Sequence, residues 1–116
     1  MIPTPRFIQG VFLFEGKGLE SPYELGAKAR YVVPASKRAQ LIYMRAGNSA
    51  NELIYLLLTR DDKPMRYFPI GARESQHVPL AVVEDLFPES KLAVLLGAPK
   101  GTSGTVVIDF GIFEVD

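Results

Sequence analysis

From Ala39 to Asp116 the chain is a series of short apolar segments separated by turn signals, with very few reactive residues set among them. Segments of that length are too short for ordinary helices. Their Val, Ile, Leu, Phe and Tyr content suits strands that pack into two layers. Residues 6–14 (RFIQGVFLF), 29–33 (ARYVV), 39–45, 53–59 (LIYLLLT), 64–70 (PMRYFPI), 76–80, 91–96 (KLAVLL) and 105–115 (TVVIDFGIFEV) read as strands. About eight strands at spacings near 8–12 residues predict an all-β fold, a sandwich or a barrel with the antiparallel β-sandwich favoured, occupying 1–116 as one domain.

Local signals refine this pattern. Pro3 and Pro5 discourage a strand start before residue 6. Ser21-Pro22-Tyr23-Glu24 places a capping serine, a first-turn proline and a glutamate three residues after the cap, which predicts one short helical turn stopped by Gly26. In 39–45, Leu41, Tyr43 and Arg45 alternate with Gln40, Ile42 and Met44. Residues 53–59 are apolar on both faces, as a central covered strand would be. Arg60-Asp61-Asp62-Lys63 reads as a hairpin turn, because Asp bonds its own backbone in tight turns. Pro64 and Pro69 place 64–70 at an edge or a bulge. The stretch 77–87 fits a strand at 76–80 followed by an irregular turn, or a short helix from Pro79 with Ala81, Val82 and Leu86 inward. The predicted core includes Phe12, Val33, Ile42, Leu56, Leu58, Val94, Leu96, Val107, Ile108 and Phe110.

Composition excludes several functions. There is no cysteine, hence no thiol nucleophile, redox centre or zinc–thiolate site, and the single histidine excludes a multi-histidine metal site. Thirteen basic residues balance thirteen acidic ones, so no positive excess exists to neutralise phosphates, and nucleic acid is not an expected partner. No apolar window is long enough for a transmembrane helix. The start of the chain lacks the basic and apolar regions of a signal peptide, and Asn48 and Asn51 begin no glycosylation sequon, so the expected placement is cytoplasmic, away from the membrane.

The glycine-rich loop 97–104 lacks the Gly-Lys-Ser/Thr order and the following helix of a phosphate loop, and reads as a hairpin loop. His77 is the candidate general base, with Asp85 or Glu74 as partner and Ser75 or Ser103 as a formal nucleophile, although no G-x-S-x-G elbow is present. Asp109 shares a strand face with Val107 and Phe113. The opposite face, with Val106, Ile108, Phe110 and Ile112, is more apolar. If buried, Asp109 needs an arginine or a hard cation such as calcium. Tyr43, Arg45, Asn48, Arg66 and Tyr67 form the candidate ligand-binding set, since flat aromatic faces with Arg and Asn donors suit sugars. The same residue types also fill cores and dimer interfaces.

The segments AQLIYMRAGNS, LIYLLLTRDDKPMRYF and LAVLLGAPKGTSGTVVIDFGIF, with the closing pattern G-x-V-x-I-D-x-x-x-F, resemble the galactose-binding-like jelly rolls, which include many carbohydrate-binding modules. The resemblance spans Ala39 to Val115. It implies a jelly-roll sandwich and a structural calcium held by Asp109 with Glu15 or Glu20, and no other cofactor. The expected function is a non-catalytic binding or accessory module whose partner is a carbohydrate, another small polar ligand or a protein. A homodimer through a sheet edge or the surface near Tyr67 is a further expectation. The alternatives are a small hydrolase or isomerase on His77, and a structural subunit that exposes a large apolar patch.

Overall fold

The computed structural model describes residues 3–81 and 83–116. Its strands, in chain order, are β1 (Thr4–Glu15), β2 (Gly18–Glu24), β3 (Arg30–Val32), β4 (Arg38–Asn48), β5 (Ile54–Arg60), β6 (Lys63–Ile70), β7 (Ser75–Pro79), β8 (Asp85–Leu86), β9 (Lys91–Ala98) and β10 (Ser103–Val115). They form a β-sandwich of two antiparallel sheets. Sheet A runs β1-β10-β4-β7, with β8 also on β4. Sheet B runs β2-β9-β5-β6, with β3 also on β9. Since β2 and β3 share one side of β9, and β7 and β8 share one side of β4, the ten strands fill eight sheet positions.

The sheets are joined by the inward residues of each strand. Val106, Ile108, Phe110 and Ile112 of β10 are buried, as the alternation in this strand predicts. They meet Leu56, Leu58, Phe68, Ile70, Val94 and Leu96 of sheet B in one core cluster. Phe110 and Phe68 contact edge to face at 5.7 Å across the layers. β5 lies between β9 and β6, and Leu57 is buried even on the outer face, as the doubly apolar segment requires. β6, with its two prolines, is an edge strand, and a register shift sits opposite Leu58 and Thr59. The β5–β6 hairpin turns through Asp61 and Asp62, both at positive φ (51° and 67°), the twist a two-residue hairpin demands.

Four expectations change, the first being the strand start: β1 begins at Thr4 and runs through Pro5, which an edge strand tolerates. Residues 21–24 lie in β2, paired with β9, and the one helical turn is a 3-10 turn at Ala27–Ala29. Pro22 is tolerated because β2 is an edge strand with a register shift between Gly18 and Tyr23, where a missing N–H breaks no ladder bond. Gly26, at φ 141°, opens the 3-10 turn and does not stop a helix. The 97–104 loop is not a hairpin, because β9 and β10 belong to different sheets. It is pinned by backbone bonds between Gly16 and both Gly101 and Thr102.

Three expected core residues are not buried. Val107 lies on the outer face of β10 and is exposed. Phe12 is half-buried on the edge strand, its ring curled toward Gly10. Ile42 is half-buried because it is the extra residue of a bulge in β4: Gly111 pairs Tyr43 but Ile112 pairs Leu41. The bulge inverts parity, so Ala39 and Leu41 point inward before it and Met44, Ala46 and Asn48 after it. Strand β7 matches the favoured reading of 76–80. Val82, inward in the alternative helical reading, lies outside the described residues, as do Met1 and Ile2.

Each sheet carries a tyrosine laid over a cross-strand glycine. Tyr43 faces Gly111 and Tyr55 faces Gly97. A Cβ on Gly111 would stand 2.0 Å from the Tyr43 ring, and one on Gly97 would stand 2.2 Å from the Tyr55 ring. Gly111→Ala and Gly97→Ala are each expected to cost about 1–3 kcal/mol by forcing the ring off its seat. Leu56→Ala, in the centre of β5, is expected to cost about 2–5 kcal/mol. Urea unfolding of the three variants measures both effects, and a loss under about 1 kcal/mol for Leu56→Ala contradicts its place in the core.

Candidate functional site

The outer face of sheet A brings together a set of polar groups suited to a ligand. Side chains of one parity project there from four strands, and the registers align them in rows. Gln9 of β1 is opposite Asp109 of β10, Asp109 is opposite Arg45 of β4, and Arg45 is opposite His77 of β7. The next row reads Val11, Val107, Gly47, Ser75. Because Gly47 has no side chain, that row has a notch between Val107 and Ser75. The result is an open trough of about 540 Å³ lined by Arg45, Gly47, Ser75, His77, Val107 and Asp109. A second depression of about 300 Å³ shares Gly47, Ser75 and Val107 and extends the trough to Arg73 and Thr105.

The polar row is internally bonded. The Gln9 amide donates to Asp109 Oδ1 at 3.1 Å, and the Tyr43 hydroxyl donates to the same oxygen at 3.2 Å. Arg45 Nε lies 3.7 Å from Asp109 Oδ2, and the Arg45 guanidinium sits 5.1 Å from the centre of the Tyr43 ring. His77 meets Tyr43 edge to face at 6.0 Å. These contacts fix the orientations of Arg45 and Asp109 while leaving both accessible. An exposed ion pair of this kind adds little stability, so the arrangement is available for recognition.

The sequence-derived set is thereby divided. Tyr43, Arg45, His77 and Asp109 come together, and the bulge at Ile42 is what brings Tyr43 and Arg45 to the outer face beside Asp109. Asn48 does not reach that face. It is buried, its amide donates to the carbonyls of Glu52 and Gly71, and its Oδ1 accepts from the Ala50 N–H. Tyr67 lies on sheet B against Tyr55 at 5.6 Å, and Arg66 beside it faces Glu84 at 3.6 Å. Asp85 pairs with Gln40 and accepts its amide at 2.8 Å. Five residues along β4, about 16 Å, separate that position from Arg45 and His77. Glu74 folds over Gly71, and Ser103 stands at the far end of β10 opposite Glu15. Glu15 is six positions, about 20 Å, along β1 from Gln9 and Asp109, and Glu20 is in sheet B. Among the described residues, no three His, Cys, Asp or Glu side chains converge as metal ligands.

Sequence reasoning missed Glu114. It has the parity of Val106 through Ile112, so its carboxylate is directed inward, and it is 3 % exposed. A buried carboxylate needs partners. Arg6 Nε stands 3.2 Å away, and the Tyr31 hydroxyl donates to Glu114 Oε2. The cluster ties β1 and β10 of sheet A to β3 of sheet B. The parity of β10, continued by one more step, was the available signal.

The chain matches no protein-family model and no curated protein. Among the described residues, no helix is long and apolar enough to cross a membrane.

Burial, and then the bond to Glu114, raises the Tyr31 pKa above the ordinary tyrosine value. The folded state therefore holds this proton more tightly than the unfolded chain. The associated stability is complete below about pH 10 and is lost as pH rises further. Tyr31→Phe is expected to cost about 1–3 kcal/mol at neutral pH, by removing one partner of a buried carboxylate. It should also flatten the stability profile above about pH 10. Urea unfolding from pH 7 to pH 11 checks both.

Proposed function

We propose that this chain is a non-catalytic binding module of jelly-roll type, and that the trough on sheet A takes a small polar ligand of the carbohydrate class. The observation that carries the reading is the ordered row Gln9–Asp109–Arg45–His77 beside the notch at Gly47. A sugar presents hydroxyls that donate and accept together with an apolar C–H face. Asp109 accepts, Arg45 donates, His77 offers a ring nitrogen, and Val107 supplies apolar floor. The jelly-roll assignment is supported by the succession of strands, which cross between the sheets at every connection except β2–β3, β5–β6 and β7–β8. The non-catalytic assignment is supported by the separation of His77 from Asp85.

The test is a thermal-shift screen against monosaccharides and oligosaccharides, followed by calorimetric titration of hits. A sugar at 100 times its Kd is expected to add about 2.7 kcal/mol of stability. Arg45→Ala and Gly47→Val should abolish the shift while leaving the ligand-free melting temperature close to wild type. A panel without shifts overturns the carbohydrate reading. Turnover of a sugar that disappears in His77→Ala overturns the non-catalytic one. Calcium with a chelator control, in the same screen, tests whether Asp109 takes part in binding a cation.

A further inference from the structure

We propose that the β1–β10 half of the outer face of sheet A is an interface with a second copy of this chain. Phe7, Val11, Leu13, Val107 and Phe113 all project from this half and are 52, 69, 85, 49 and 40 % exposed. The register gathers them: Val11 lies opposite Val107, Phe7 opposite Gly111, and Pro5 opposite Phe113. The corresponding face of sheet B is partly covered, although Val32 and Tyr67 stay exposed on that sheet. There Tyr55 lies over Gly97 with its hydroxyl bonded to the Leu19 carbonyl at 2.6 Å, Tyr67 packs on Tyr55, and Leu57 is buried. Sheet A has one such cover, Tyr43 over Gly111, and it leaves the β1 side bare.

Size and charge select a second copy as the occupant. The five side chains expose about 500 Å² of apolar surface, within the range of the largest patches on monomers, which are often functional. Two such faces together come to on the order of 1,000 Å², the low end of the size of specific interfaces. The outward residues of β1 from Pro5 to Leu13 carry no charge, and the chain has net charge zero, so two copies meet without repulsion. The stripe Phe7–Gln9–Val11 is also self-complementary. A two-fold axis at Gln9 sets Phe7 over Val11 and one Gln9 against the other, and an amide both donates and accepts. The surface adjoins the trough and shares Val107 with it, and the inference concerns the ligand-free chain and does not rest on sugar binding.

The test is the mass of the full chain in solution by sedimentation equilibrium across a concentration series. The expected result is a concentration-dependent species at twice the 12.8 kDa chain mass. Val11→Glu and, separately, Leu13→Arg should each weaken the dimer about 100-fold by placing an unpaired charge in the contact. Their far-ultraviolet circular dichroism should be unchanged, because both positions are exposed. Phe87→Glu, at an exposed apolar residue elsewhere, should leave the dimer intact. A wild-type chain that stays monomeric at several hundred micromolar overturns the proposal, as does a dimer indifferent to both charge variants. Flotation of a monomeric chain with phosphatidylcholine–phosphatidylglycerol vesicles, lost in Val11→Glu, would also overturn it and assign the face to a lipid surface.

Discussion

The two-sided pairing of β10 holds the ends of this chain together. One side of the strand is zipped to β1 through an unbroken register from Thr4–Glu114 to Glu15–Ser103, and the other side to β4. Sheet A does not exist as a layer until residues after 103 insert between strands made near the start of the chain. The inward residues of β10 then supply much of the core, and its outward residues supply Asp109 and Val107. A contact map dominated by such distant pairs is formed slowly, because loop closure must precede any gain from packing. The polar tie of Glu114 to Arg6 and Tyr31 sits at the end of this seam, where it joins the first strand, the last strand and the opposite sheet.

Within that frame, the two outer faces solve one problem in different ways. A two-layer sandwich has no third layer to cover its outer surfaces. Sheet B covers itself with tyrosines: the Tyr55 ring replaces solvent over Gly97, and its hydroxyl finds a carbonyl partner in Leu19. Burial, and then neighbouring Tyr67, raises the Tyr55 pKa, as expected for a hydroxyl held in that cover. Sheet A repeats the device once, with Tyr43 over Gly111, and there the tyrosine hydroxyl binds Asp109. The same ring–glycine contact thus closes a surface in one sheet and orders a polar row in the other.

The legible part of this fold was its strands, and the reason is physical. Alternation in β10 and the doubly apolar run of β5 follow from burial, which the residue types record directly. Parity within a strand was legible only where no bulge intervened. In β4 a single extra residue at Ile42 reverses which side chains face inward, and Ile42 itself bears no mark of it. The serine–proline–glutamate signature at 21–24 is locally a helix start, but pairing with β9 prevails because an edge strand tolerates the proline. Of the candidate site, Tyr43, Arg45, His77 and Asp109 were visible as residue types, while their convergence depends on strand order, which distant pairing decides. Asn48 looked like a ligand donor because polar residues near turns do. Its burial follows from the same parity reversal that places Tyr43 outside.

That reversal also explains why the outer face of sheet A is divided. Without the bulge, Met44 and Ala46 would face outward and the β4 side would be as apolar as the β1 side. With it, Tyr43, Arg45 and the bare Gly47 face outward beside Asp109, so polarity changes across the sheet between β1 and β4 over the width of one strand. β10 is the boundary: Phe113 belongs to the apolar half, Asp109 to the polar half, and Val107 to both. A surface divided in this way can present a wet, hydrogen-bonding trough and a dry, self-complementary stripe side by side. One inserted residue, acting through the two-residue period of a strand, is sufficient to produce both.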